Sequence, residues 1–276
     1  MSRIQIVTDS TAYFTKAEAE ALNIKVVPLA VTFEGVTENE GYPGEFESFF
    51  NKLETSQSFP TTSQPSIEAF ASVFQKTIDS GKEVICLVIS AALSGTFNSA
   101  SVAAELTAPD KISVIDSKTT VANLKYLVKM AVDMAEKGMS RSEIVKAIEE
   151  QKEKTRADLT VDTLEYLKRG GRLTGAQAFL GSLLNVRPII GFVDGKLNPV
   201  NKVRGKSKAL EFMMDRIPEN VAHITVCHIL NEEEAEELKA RLRERFPGIP
   251  VELDVIGPVI GSHLGPKAIG ICQVWK

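Results

Sequence analysis

Glu83-Val-Ile-Cys-Leu-Val-Ile89, followed at once by Ser90-Ala-Ala-Leu-Ser-Gly-Thr96, is the stretch that decides the fold. The unbroken apolar run after Glu83 reads as a strand buried on both faces, the mark of a parallel sheet covered by helices. Phe97-Asn-Ser-Ala-Ser-Val-Ala-Ala-Glu-Leu106 then reads as a helix. A loop that leaves the carboxyl end of such a strand and opens a helix is where open α/β sheets place ligands. Here the loop carries hydroxyls, a glycine and free helix amides. These groups hold a carboxylate or phosphate without a cationic side chain.

Upstream, Arg3-Ile-Gln-Ile-Val7 reads as a strand, with Thr8-Asp-Ser-Thr11 as its exit loop and a helix around 16–22. Residues 24–33 are β-rich but broken at Pro28. Helical spacing recurs over 46–53 and 67–78. Between those two stretches, Phe59-Pro-Thr-Thr-Ser-Gln-Pro-Ser66 is expected to be a polar loop. Downstream come a strand at 111–116 and helices at 121–136 and 140–154, the second capped by Ser140 with Glu143 at the capping-box position.

The pattern changes near residue 157. A short strand at 158–161 leads through a helical turn into Arg169-Gly-Gly-Arg172. Asp194-Gly195 is a hairpin turn between 187–193 and 196–200. A helix at 206–217, a strand at 222–228, a charged helix at 232–246 and a last strand at 251–256 follow. A loop with glycines at 257, 261, 265 and 270 closes the chain. The expectation is an α/β protein of two lobes, a parallel-sheet α/β lobe over 1–157 and an α+β lobe over 158–276.

The 276 residues, 43% of them hydrophobic, supply two cores. A formal net charge of −4 argues against nucleic acid as the main partner. The opening residues lack the long apolar core of a signal peptide, and no apolar run reaches the ~18 residues of a membrane span. Cys86, Cys227 and Cys272 lie apart in apolar runs, as buried thiols of a reducing cytoplasm do.

Several catalytic signatures are absent. Ser94 has Ala92 where a nucleophile elbow needs glycine, and Ala176-Gln177 stand where a Walker loop needs Lys and Ser or Thr. There is no H-E-x-x-H or C-x-x-C, and no metal site is expected. Two hydroxyl loops, Thr61-Thr62-Ser63 and Ser94-Gly95-Thr96, are expected to converge at the carboxyl edge of one sheet. A serine nucleophile would need a base. Of His223, His228 and His263, only His263 lies in a loop, flanked by glycines; the other two read as packing residues. A serine hydrolase acting on acyl esters through Ser94 and His263 is therefore the alternative reading. A third reading is a binding module for a phosphorylated metabolite, with Arg169-Gly-Gly-Arg172 as an anion clamp. That motif also reads as a helix end closed by glycine. Lys202-Val-Arg-Gly-Lys-Ser-Lys208, the densest basic cluster, is either a solvated face or a docking site.

Val7-Thr-Asp-Ser-Thr11, Thr62-Ser-Gln-Pro-Ser66, Leu93-Ser-Gly-Thr96, Arg169-Gly-Gly-Arg172 and Gly261-Ser-His-Leu-Gly-Pro266, in this order along nearly the whole chain, resemble the DegV family of bacterial fatty-acid-binding proteins. The resemblance implies one long-chain fatty acid between the two lobes and no other cofactor. It implies a partner, a separate fatty acid kinase that phosphorylates the carboxylate with ATP for phospholipid synthesis. It implies a cytoplasmic carrier with at most transient membrane contact, not an enzyme in itself. By position, Thr62 and Ser94 would hydrogen-bond the carboxylate with the Ser63 and Gly95 amides, and His263 would lie beside them. Arg172 and Arg204 would contact the kinase or the phosphate. Phe179, Leu180, Leu183 and Ile190 are candidates for the tail slot. Lys267 departs from the pattern, which favours a small residue, often glycine, after Gly265-Pro266.

Overall fold

The run around Cys86 does form a strand buried on both faces, and its alternation divides the N-terminal core in two. The computed structural model describes residues 3–172 and 186–276. In chain order the first half contains β1 (Ile4–Asp9), α1 (Lys16–Ala21), β2 (Lys25–Val27), β3 (Ala30–Phe33), β4 (Val36–Asn39), α2 (Glu47–Thr55), β5 (Thr61–Ser63), α3 (Ile67–Asp79), β6 (Glu83–Val88), α4 (Thr96–Thr107), β7 (Ile112–Asp116), α5 (Val121–Glu136) and α6 (Arg141–Lys152). Strands β2-β1-β6-β7 form a four-stranded parallel sheet. Ile85 and Leu87 of β6 pack under α5 and α6 with Leu124, Leu127, Ile144 and Ile148. Val84, Cys86 and Val88 pack on the other face under α3 and α4 with Phe70, Phe74 and Ala103. Ser140 and Glu143 form the expected capping box.

The order of this sheet reverses between β1 and β6, the place where such sheets leave a crevice. Asp9 closes it. Its carboxylate accepts the Ile89 N–H (2.6 Å), the Thr11 N–H (2.9 Å) and the Thr11 hydroxyl (2.6 Å). Burial pushes the Asp9 carboxyl up to about 6 against these donors.

Pro28 does break the β-rich segment, between β2 and β3. The Phe59–Ser66 stretch, expected to be a loop, contains β5. This strand pairs with β3 (Val31 opposite Thr62) at the edge of a separate three-stranded antiparallel sheet, β4-β3-β5. Pro60 and Pro65 punctuate the segment without preventing an edge strand, because proline is tolerated there. The two hydroxyl segments therefore do not share one sheet edge. Ser94–Thr96 follows the parallel sheet, and Thr61–Ser63 lies in the small antiparallel one.

The second half contains β8 (Thr155–Thr160), α7 (Glu165–Gly170), β9 (Val186–Val193), β10 (Lys196–Arg204), α8 (Lys206–Asp215), β11 (Val221–His228), α9 (Glu232–Arg245), β12 (Val251–Val255), α10 (Pro258–Leu264) and β13 (Ile269–Trp275). Its six-stranded sheet runs β10-β9-β8-β13-β11-β12. The β11–β12 pair is parallel and the others are antiparallel, so the sheet is mixed. The step from residue 157 to 158 falls inside β8, which pairs with β13 from Thr155 to Thr160.

The glycine-rich tail, expected to be a loop, holds a helix and a central strand. Its glycines serve close packing. A Cβ at Gly257 would strike Tyr13 and Phe46, at Gly261 Phe50, at Gly265 Tyr166, and at Gly270 the β8 backbone. One face of the mixed sheet packs on α8 and α9 through Met213, Leu238, Ile224 and Ile271. On the other face, Ala157, Leu159, Cys227 and Cys272 meet Tyr13, Phe46, Phe50 and Val121 of the first half. Among the described residues, no helix is long and apolar enough to cross a membrane.

Candidate functional site

A cavity of about 320 Å³ lies in that interface, within the ~300–1,000 Å³ range of small-molecule sites. The mixed sheet supplies Ala157, Leu159, Cys227, Ile271 and Cys272. The hairpin adds Phe192 and Leu197, the first half Leu29, Ile89 and Val121, and α10 adds Val259, Ile260 and Leu264. Against these walls stands a polar patch made by Thr62, Ser63, Gln64, Ser94, Gly95 and His263, with Arg172 beside it; Thr120 and Asp158 are the other polar residues of the lining.

Three chain segments meet in the patch. Thr62 projects from β5, and its hydroxyl hydrogen-bonds His263 Nε2 at 2.7 Å. Ser94 lies just before α4, and its hydroxyl shares a 2.8 Å hydrogen bond with Thr96. Gly95 is the N-cap of α4, and a Cβ there would overlap the Gln64 amide. The Gln64 Nε2 donates to Ser99 of α4 (3.0 Å), which ties β5 to α4. His263, expected in a flexible loop, is on α10 and half-buried. Burial, and next the Arg172 guanidinium, push its imidazole down to about 4, so it is neutral at pH 7.

The Arg169-Gly-Gly-Arg172 motif divides its work. Gly171 takes the left-handed conformation (φ 68°) that closes α7. Gly170 leaves room for the His263 ring, which a Cβ would strike at Nδ1. Arg172 is exposed beside the patch and donates to the Gly170 carbonyl (2.5 Å) and the Leu93 carbonyl (3.3 Å).

Arg204 is exposed at the end of β10 and is not among the cavity-lining residues. Phe179, Leu180 and Leu183 lie outside the described residues. Ile190 is buried in the adjoining core, and its neighbours Phe192 and Leu197 form the wall instead. Lys267 sits at φ 61°, a left-handed position suited to glycine, with its N–H on the Ile229 carbonyl.

Sequence reasoning passed over Gln64, Val121, Cys227 and Cys272 as wall residues. Gln64 stood inside a quoted motif. Alternation along β11 puts Cys227 on the face of Ile229, opposite Val226. Val121, at φ 54°, carries no sequence signal for that conformation.

Hydroxyls, backbone amides and a neutral imidazole can hold an anion. They do not form a nucleophile–base pair. His263 Nε2 engages Thr62, Ser94 engages Thr96, and His263 Nδ1 is buried without a partner among the described residues, none of whose carboxylates orients the ring. A histidine held near 4 is also a weak base at neutral pH.

Residues 3–276 match the family model described as "Uncharacterised protein, DegV family". The chain is 35% identical to protein DegV of Bacillus subtilis over 279 residues, covering 99% of each. In structure it is similar to a DegV lipid-binding protein of Thermotoga maritima, with a TM-score of 0.90 and 30% identity over 100% of this chain and 99% of that one. It is likewise similar to a DegV family protein of Thermus thermophilus described by its fatty acid binding, with a TM-score of 0.88 and 32% identity over 100% of both chains. With these likenesses spanning nearly the whole chain, it belongs to the DegV family.

Proposed function

We propose that this chain binds one long-chain fatty acid in the cavity and presents it to a separate, ATP-using fatty acid kinase, in the cytoplasm. The observation that carries the reading is a largely apolar cavity on which the neutral Thr62, Ser94 and His263 groups gather in one patch, with Arg172 beside it. Burying a CH₂ stabilises by about 0.8 kcal/mol, so a ~16-carbon tail gains on the order of 10 kcal/mol before the costs of association. The tail supplies affinity, and the Thr62 and Ser94 hydroxyls, with the Ser63 and Gly95 amides and His263, supply orientation. Neutral donors leave the carboxylate more nucleophilic toward the γ-phosphorus of ATP than a tight ion pair would. Arg172, exposed at the patch, suits the phosphate or the kinase. Arg204 suits the kinase alone, since it does not line the cavity. In this reading residues 1–157 provide the Thr62 and Ser94 segments of the head-group site, and 158–276 cover the tail and bring His263 to that site.

Mass spectrometry of gently extracted protein tests the binding. A co-purifying fatty acid, or uptake of added oleate or palmitate at one per chain, is expected. Finding no co-purifying fatty acid and no uptake overturns the reading. Adding the kinase and ATP to the loaded protein should yield acyl phosphate, and its absence would remove the kinase step.

A further inference from the structure

α10 forms one wall of the cavity with Val259, Ile260 and Leu264 and carries His263 next to its C-terminal end. Its other end is held by a carboxyl from a distant part of the chain. Glu40, just beyond β4, is 7% exposed. Its Oε1 accepts the Val259 N–H (2.7 Å) and the Tyr13 hydroxyl (3.2 Å), and Tyr13 Oη in turn accepts the Ile260 N–H (3.3 Å). Its Oε2 accepts the Ser10 hydroxyl (2.6 Å), and Ser10 Oγ accepts the N–H of Leu29, another cavity wall (3.1 Å). The Glu40 N–H closes the ring on the Leu29 carbonyl (2.8 Å).

The geometry points to Glu40 as the positioning residue of the head-group site: it fixes the start of α10 against Tyr13, Ser10 and Leu29, and thereby sets where His263 meets Thr62. This role rests on the fatty-acid reading only for its consequence on ligand release; the anchoring itself does not need a ligand.

Burial pushes the Glu40 carboxyl up to about 7, with the nearby Asp9 charge adding to the rise and the Ser10, Val259 and Tyr13 donors opposing it. Displaced into water, the same carboxyl would titrate near its ordinary 4.5. Displacement therefore releases a proton between these values, and it becomes easier as pH rises through 7. Glu40→Gln keeps a carbonyl for the Val259 N–H and offers an amide to Ser10, so it imitates the protonated acid at every pH. The other groups facing this carboxyl are Asp9, itself pushed up to about 6, and Tyr13, pushed well above the usual phenol range. His263, held near 4, does not titrate in the same window.

Hydrogen exchange on the ligand-free protein, corrected for intrinsic rates, tests the anchoring. Protection of the Val259 and Ile260 amides should fall on the order of tenfold from pH 6 to pH 8.5 in the unmodified chain. It should stay flat in Glu40→Gln and keep its step in Asp9→Asn. Tyr13→Phe should lower protection at Ile260 while Val259 remains tied to Glu40. A flat unmodified profile, or a step that survives Glu40→Gln, overturns the role. Release of bound oleate measured in parallel should accelerate over the same pH range in the unmodified chain alone. A chain that holds no oleate sinks the fatty-acid reading instead, while the amide profile still decides on Glu40.

Discussion

The cavity has two kinds of wall, and they do different work. The mixed sheet contributes a continuous apolar surface from adjacent strands, where Ala157, Leu159, Cys227 and Cys272 sit in one core cluster. The polar patch is assembled from β5, the β6–α4 loop and α10, which share no sheet and are joined by side-chain contacts such as Thr62 to His263 and Gln64 to Ser99. A surface made by alternation along strands is set by pleat and register. A patch made by three separate segments is set by where each is pinned. The apolar wall should therefore govern how tightly a tail is held, and the patch should govern how its carboxylate is aimed.

The largest expected effect comes from invading the apolar wall. Cys272→Phe places a ring in the cavity, where on the proposed reading the tail would lie, and would displace three or four methylenes. At about 0.8 kcal/mol each this weakens fatty acid binding roughly 100-fold. Titration with a fluorescent fatty acid measures it. Unchanged binding would mean that the tail does not occupy this part of the cavity.

The patch should respond the other way. Thr62→Val with Ser94→Ala removes two hydroxyls, each contributing about 0.5–1.5 kcal/mol. Retention of the acid should fall on the order of tenfold, while kinase-dependent phosphorylation of the retained acid falls further. If the folded double mutant binds nothing, the division between affinity and aim is wrong.

His263 sharpens the comparison through pH. Its folded value, about 4, is below the ordinary 6.5, so the unfolded chain binds the proton more readily. Its contribution to stability is present above 6.5 and is lost as pH falls through 4. In denaturant titrations the unmodified chain should lose on the order of 2 kcal/mol more than His263→Gln between these values, after allowance for its partial exposure. Glu40 carries the opposite sign. Its raised value favours the fold at low pH, and that advantage is lost as pH rises from 4.5 through 7. The two ends of α10 thus titrate in opposite senses. An equal loss in His263→Gln would place the acid sensitivity elsewhere.

The contrast also explains what was legible in the sequence. β6 and α5 follow from local pattern, an unbroken apolar run and a 3.6-residue period, and both are found where that pattern puts them. That Thr62 and Ser94 line the cavity followed from residue type and from the family resemblance. β5, α10 and β13 did not follow. Prolines and glycines punctuate all three segments, and here the glycines answer to Phe50, Tyr13, Tyr166 and the β8 backbone, partners distant in sequence. The same limit hid the wall role of Cys272, because β13 itself was read as loop. Glu40 gave no signal for a related reason: it belongs to no motif, and its partners lie 27, 30 and 219 positions away.

The smallest effect tests how near the tail loop comes to the patch. Lys267 adopts φ 61° between α10 and β13, where an L-residue costs about 1–2 kcal/mol and glycine does not. Glycine gives back about 0.5–1 kcal/mol in backbone entropy. Lys267→Gly should therefore raise stability by about 0.5 kcal/mol, a Tm increase of roughly 1–2 °C in a scanning melt. Its side chain is exposed and lines no part of the cavity, and its N–H on the Ile229 carbonyl is kept in the variant. Fatty acid retention should then remain unchanged. A change in retention alongside the small gain in Tm would mean that the loop after Gly265 reaches the carboxylate, which would make the aiming patch four segments rather than three.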